Sequence, residues 1–157
     1  VTAAYQQLEA QFGIRLQRVL VQPMPTGGVE TIAGVALEPV FGALVAFGLG
    51  GVATEVLGNH IARLSPLTDT DADDMISAVH AAPLLTGLRG FPAVDTASLA
   101  DVLLRVSRLA DELPEVTELD LNPVIARPQD VQVVDVRIRI GRERPGTVPA
   151  PAPASCG

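Results

Sequence analysis

The hydrophobic positions change period several times along the chain, and each change marks an element. Val1, Tyr5, Leu8 and Phe12 recur at helical spacing, which predicts a helix over residues 2–12 with Gly13 to terminate it. Arg18–Met24 reads as a short strand, and Pro25-Thr26-Gly27-Gly28 as a turn. Val29–Leu37 and Ala43–Phe47 are apolar at nearly every position, as the central strands of a sheet are. Asn59–Leu64 reads as a further strand. Acids crowd Thr68–Asp74 at the start of a helix running to about Ala81, where they complement the helix dipole, and Pro83 is expected to end it. They lack the glycine and closing glutamate of a calcium loop. Ser98 is expected to cap a second long helix, with Asp101 three residues on. Its apolar stripe is Leu99, Val102, Leu103, Val106, Leu109 and Leu113, and Pro114 stops it.

The period then becomes two. Val116–Ala126 and Val131–Ile140 read as the arms of one hairpin around Arg127-Pro128-Gln129-Asp130. Glu118, Asp120 and Asn122 share one face of the first arm, and Leu119 and Leu121 the other. In the second arm Gln132, Val134, Val136, Ile138 and Ile140 are expected to oppose Val133, Asp135, Arg137 and Arg139. Centring the turn between Pro128 and Gln129 sets Asn122 opposite Asp135, Asp120 opposite Arg137 and Glu118 opposite Arg139. Leu121 then meets Val136, and Leu119 meets Ile138. A slip of one residue would set carboxylates against aliphatics, so this register is favoured. Directly opposed Cβ atoms lie roughly 4.5–5.5 Å apart, a spacing that suits two oxygen ligands on one hard cation. The same pattern also describes a solvated face of cross-strand ion pairs. What ion pairing leaves unexplained is Asn122 against Asp135, for which the pattern offers no neutralising cation.

Composition narrows the picture. The chain has 157 residues, 48% of them hydrophobic but only 3% aromatic, so a core must be built from aliphatic side chains. A net charge of −7 argues against nucleic acid or an anionic membrane as a general partner. Every basic residue is Arg, which excludes any Lys-dependent step supplied by this chain. The single Cys156 rules out an internal disulfide, in keeping with a cytoplasmic protein. The longest apolar stretch, Pro39–Ala53, is rich in glycine and too short to span a bilayer. The start without Met suggests a piece of a longer polypeptide. Residues 141–157 read as a disordered Pro/Ala-rich tail.

Gly48-Leu49-Gly50-Gly51 follows a strand and would expose backbone N–H groups to an anion. It lacks the Gly-Lys-Ser/Thr of a P-loop and the spacing of a dinucleotide fingerprint, and a tight turn is the better reading of the pattern alone. His60 and His80 have no partner pattern around them.

Eight short motifs in order carry a resemblance: Val-Leu-Val-Gln-Pro-Met, Gly-Gly-Val-Glu, Glu-Pro-Val-Phe-Gly, Phe-Gly-Leu-Gly-Gly, Thr-Glu-Val-Leu, Ala-Arg-Leu-Ser-Pro-Leu, Leu-Arg-Gly and Glu-Leu-Asp-Leu-Asn-Pro-Val. Over residues 3–140 the chain resembles the ATP-grasp domain of NDP-forming acyl-CoA synthetases, the group of acetate–CoA ligase and the succinyl-CoA synthetase β-subunit. The resemblance implies an α+β fold for residues 1–140, the C-terminal lobe of an ATP-grasp domain, with a mostly antiparallel sheet packed against helices. It also implies ATP or ADP and Mg2+ as ligands. Val21 and Gln22 match the inter-lobe hinge that reads adenine, and Glu30 the acid that binds the ribose hydroxyls. Asn122 and Asp135 match magnesium ligands that bridge the nucleotide phosphates, with Asp120 at the neighbouring acidic position. Gly48, Gly50 and Gly51 fall where the family approaches the phosphoryl-transfer centre. Glu55 and Arg63 match family residues without a definite role.

Two departures accompany the resemblance. Glu38 stands where the family usually has Asp before Pro-Xaa-Phe-Gly. The N-terminal lobe with its phosphate-binding Lys, the phosphohistidine loop and the CoA-binding domains have no counterpart here, so the expected partners are those missing parts of a parent chain. The implied parent reaction is acyl-CoA + ADP + phosphate ⇌ acid + CoA + ATP through a phosphohistidine, with the isolated lobe inactive. Similar domains fused to protein lysine acetyltransferases give a second expectation, a catalytically silent ligand sensor.

Overall fold

The computed structural model describes residues 1–51, 60–80, 82–88, 90 and 92–141. Helix α1 (Thr2–Phe12) and a 3-10 turn (Gly13–Arg15) precede strands β1 (Val29–Glu38), β2 (Gly42–Leu49) and β3 (His60–Leu64). Helices α2 (Asp69–Ala78), α3 (Ala82–Thr86) and α4 (Thr96–Glu112) follow, then strands β4 (Val116–Ala126), β5 (Val131–Val133) and β6 (Val136–Ile140). The strands form one antiparallel sheet in the order β3-β2-β1-β4, with β5 and β6 end to end along the far edge of β4. The two nearly all-apolar strands, β1 and β2, do lie inside the sheet. The architecture is α+β, and among the described residues no helix is long and apolar enough to cross a membrane.

The helices cover one face only. From α4, Leu99, Leu103, Val106 and Ala110 turn inward at helical spacing and meet Val35, Val45, Phe47, Leu119 and Leu121. Met75 and Ile76 of α2 and Leu85 of α3 complete this aliphatic core. Its polar members are satisfied. The Thr31 hydroxyl donates to the Val124 carbonyl at 2.9 Å, and Ser107 receives the Leu67 N–H at 2.8 Å.

Local chemistry places the helix ends differently from expectation. Asp95, not Ser98, caps α4: its carboxylate accepts the Ser98 N–H at 2.9 Å and the Ser98 hydroxyl at 2.6 Å. Asp101 instead pairs with Arg105 one turn on. Thr68 and Asp71 form a full capping box for α2, which stops at Ala78. Pro83 lies in the first turn of α3, where its missing N–H costs nothing. Arg18–Met24 forms no strand. It has no neighbour to pair with, and Leu20 and Met24 are 82% and 86% exposed. Helix α1 likewise buries no residue.

The hairpin keeps the expected register. Glu118–Arg139, Leu119–Ile138, Asp120–Arg137 and Leu121–Val136 are partners on β6, and Val124–Val133 and Ala126–Val131 on β5. The second arm is nevertheless two strands. Pro123 has no N–H to donate, so the ladder is interrupted at Val134–Asp135. On its other side β4 carries one extra residue between its pairings Thr31–Val124 and Ala33–Leu121. The alternation therefore flips at Asn122-Pro123: Leu119 and Leu121 face the core before it, Val124 and Ala126 after it. Val131 and Val133 pack against the core, which corrects the face expected for Val133. Val136, Ile138 and Ile140 lie on an uncovered edge, 50–72% exposed.

Candidate functional site

The uncovered face of the sheet carries the polar residues that the alternation points away from the core. Strand pairings order them in rows. One row runs Ala62, Ala46, Gly34, Asp120, Arg137, and the next runs Leu64, Leu44, Ala36, Glu118, Arg139. A third runs from His60 through Gly48 and Ile32 to the bulge at Asn122-Pro123, with Asp135 beyond it. The Asn122 N–H donates to the Asp135 carbonyl at 3.2 Å, and the Val134 N–H to the Pro123 carbonyl at 3.0 Å. These bonds hold Asn122 and Asp135 opposite one another through the break in the ladder. Gly34, Ala36 and Ala46, with Ile32 beside them, thus floor a depression of about 300 Å³ between His60 and the acids.

Glu30 stands at one end of this face. Its carbonyl accepts the Gly50 N–H at 2.7 Å, where β2 ends. A Cβ on Gly50 would lie 3.1 Å from the Glu30 Cβ, and one on Gly51 3.4 Å from the Glu30 Oε2. Gly51 also has φ +87°, a conformation glycine adopts without strain. The glycine loop and Glu30 are therefore one local structure. Gly48 is a correction: it belongs to β2, not to a loop.

The charges pair less symmetrically than the register implies. Arg139 bonds Glu118 at 3.2 Å, as expected. Arg137 reaches Asp135 at 3.6 Å, not Asp120. Asp135 thus has the neutralising cation that the sequence pattern did not supply, two residues along its own edge, and its Oδ1 also accepts the Val136 N–H at 3.0 Å. Asp120 is half-buried and its carboxylate makes no bond among the described residues, nor do the side chains of Asn122, Glu30 and His60.

A hard divalent cation fits this donor set. Asp120, Asn122 and Asp135 offer oxygen alone, from adjacent strands of one exposed face. Magnesium is ordinarily held by one or two carboxylates with phosphate and water completing the octahedron. No group of three or more His, Cys, Asp or Glu side chains that could hold a metal by themselves occurs among the described residues; the set here is two carboxylates and one amide.

The remaining expected residues are not gathered here. Val21 and Gln22 sit in the unpaired segment before β1, Val21 being 66% exposed, and neither makes a hydrogen bond among the described residues. Arg63 points to the helix-covered side, where it bonds Asp71 at 2.8 Å and Asp74 at 3.2 Å and ties β3 to α2. Glu55 lies outside the described residues. His60, by contrast, is a member of the open face that the sequence did not single out. The signal was its position at the head of a strand whose alternate residue, Ala62, must face the same way.

Comparison with known proteins supplies the family and the fold. The sequence pattern of the ATP-grasp domain matches residues 1–140. The chain is 45% identical over 129 residues to the ADP-forming acetate–CoA ligase I of Archaeoglobus fulgidus, covering 82% of this chain and 19% of that one. It is 41% identical over 120 residues to the β subunit of the ADP-forming acetate–CoA ligase I of Pyrococcus furiosus, covering 76% of this chain and 52% of the subunit. The chain thus spans between a fifth and about half of the length of these curated relatives. Among solved structures it superposes with a TM-score of 0.82 and 41% identity on the dinucleotide-forming acetyl-coenzyme A synthetase 1 of Ca. Korarchaeum cryptofilum, determined with coenzyme A and Mg-AMPPCP. That match covers 89% of this chain and 62% of the other. A chain matched over residues 1–140, with this sheet and this face, belongs to the ATP-grasp family, beside the ADP-forming acetate–CoA ligases.

Proposed function

We propose that the open face is the nucleotide- and magnesium-binding surface of an ADP-forming acid–CoA ligase, whose whole reaction is acyl-CoA + ADP + phosphate ⇌ acid + CoA + ATP by way of a phosphohistidine. The observation that carries this reading is the bulge at Asn122-Pro123. It sets Asn122 beside Asp135 on the same face as the carboxylate of Asp120, which is unpaired among the described residues. Similarity to a structure that holds Mg-AMPPCP supports it.

In this reading Asp120, Asn122 and Asp135 hold Mg2+, which when bound would neutralise charge on the phosphate oxygens. Glu30 accepts from the ribose hydroxyls, and Gly50 and Gly51 keep the approach to the phosphates clear of side chains. Val21 and Gln22 receive the base once the rest of the clamp is present. Arg139 and Arg137 hold Glu118 and Asp135 in place. The chain alone binds nucleotide weakly and does not turn over, because the opposing lobe and the CoA-binding domains complete the site.

The test is a calorimetric titration of the chain with ADP in the presence and absence of magnesium, repeated with Asp135→Ala. Binding should require magnesium and fall at least tenfold in the variant. Affinity that ignores either the metal or the substitution removes the proposal.

A further inference from the structure

We propose that His60 is a second anchoring point of the same face, donating a hydrogen bond to a phosphoryl oxygen of the bound nucleotide on the side away from the metal. The inference rests on the reading of the open face as a nucleotide surface, and extends it to a residue on the opposite edge of the sheet.

Three observations carry it. First, His60 lines the depression together with Glu118 and Asp120, and among the described residues no other basic residue lines it. Arg137 and Arg139, on the β6 edge, are engaged with Asp135 and Glu118. Arg63, the next basic residue on the same strand, is turned to the other side and bound to Asp71 and Asp74. Second, the imidazole makes no hydrogen bond or ion pair among the described residues. In either protonation state it presents at least one N–H donor.

Third, the ground between His60 and Asp120 is floored mainly by small residues, with Ile32 the larger side chain in His60's own row. The Cα partner of His60 is Gly48, and Gly34, Ala46 and Ala62 occupy the adjoining row. A side chain is sterically unwelcome there: a Cβ on Gly34 would stand 2.5 Å from the Leu119 carbonyl oxygen. His60 on β3 and Asp120 on β4 are three strand spacings apart, about 14 Å across the sheet, and one row apart along it. That is too far to share one cation and wide enough for a hydrated metal with its phosphates between them. An anion drawn to this surface meets carboxylates at one edge, where only a cation can mediate its binding. At the other edge His60 can bind it directly.

The chain has only two histidines, His60 and His80, so the imidazole C2 protons give two proton resonances, assigned with His60→Gln. The 157-residue chain is titrated with Mg·ADP and, separately, with magnesium alone, while backbone amides of Asp120, Asn122 and Asp135 report the metal site. The His60 resonance should move with Mg·ADP along the same saturation curve as those amides, and stay still with magnesium alone. His80 should move with neither. His60→Ala should weaken Mg·ADP about tenfold, the scale of one lost hydrogen bond to a charged acceptor. His60→Gln, which keeps an N–H donor, should recover part of that loss. Magnesium-dependent binding of ADP with the His60 resonance unmoved and the affinity of His60→Ala within about twofold of wild type overturns the inference and leaves the metal site standing. Movement of His60 with magnesium alone overturns it too, by making the imidazole a metal ligand. If the amides show no magnesium-dependent response to ADP, the reading of the open face fails and the inference falls with it.

Discussion

The two faces of the sheet are written in the same strands, one residue apart, and obey opposite rules. On the helix-covered face Phe47, Val45, Leu119 and Leu121 are buried against α4, and no buried side-chain polar atom among the described residues lacks a partner. On the open face Glu118 and Asp135 are paired with Arg139 and Arg137, but the side chains of Asp120, Asn122, Glu30 and His60 make no bond among the described residues. A stable face spends its polar groups on itself. A binding face keeps them uncommitted, and does so cheaply only where water can reach them. The difference separates residues that hold the fold from residues that wait for a ligand, even when both belong to β4.

The sharpest way to break this comparison is to truncate one residue on each side. Leu103→Ala empties a fully buried position of α4 and should cost about 2–5 kcal/mol of unfolding free energy by chemical denaturation. Asp120→Ala should leave stability within about 0.5 kcal/mol and abolish magnesium-dependent ADP binding. Equal destabilisation by the two would show that the faces are not distinct in kind. A middle case tests the floor of the open face. Gly34→Ala adds one methyl group against the Leu119 carbonyl and should cost about 1–3 kcal/mol, since backbone must yield. If it costs nothing, the floor is not tight and small residues there have another cause.

The smallest effect is in acid. Asp71, Asp95 and Asp130 all titrate below the ordinary value of 3.8, through hydrogen bonds from the Thr68 side chain, the Ser98 side chain and the Arg127 side chain respectively. A carboxylate with a lowered folded-state pKa stabilises the fold fully above its unfolded value, and the contribution disappears as pH falls through the lowered one. Thermal stability should therefore hold steady down to about pH 5 and drop below about pH 4. Asp95→Asn should lower stability near neutral pH while making the drop in acid shallower. These three acids all brace helices or turns.

Much of this was legible in the sequence. The register of β4 against both β5 and β6 followed from one turn and the need to keep Leu119 and Leu121 off the acids. Strict alternation failed only at Pro123, where a missing N–H and one extra residue invert the faces, and that point is the candidate site itself. The partner of Asp135 was missed because cross-strand pairing was allowed to outrank the neighbour two residues along the edge. The strand expected over Arg18–Met24 had the right composition, but a strand needs an edge to join, and local pattern says nothing of whether one is available. Arg63 could not be assigned from sequence because its side of the sheet depends on where β3 pairs with β2.

The central pairing of the sheet has a consequence for how the chain comes to be folded. Strand β1 joins β4, and the bond from Thr31 to Val124 closes a separation of 93 residues. Contacts that far apart demand loop-closure entropy before they return any stability, which slows folding. During synthesis β1 can pair with β2 early, but its other edge stays open until β4 leaves the ribosome, almost at the end of residues 1–140. A chain interrupted before Val116 would therefore carry the apolar strand β1 as the open border of a three-stranded sheet, a ready template for self-association.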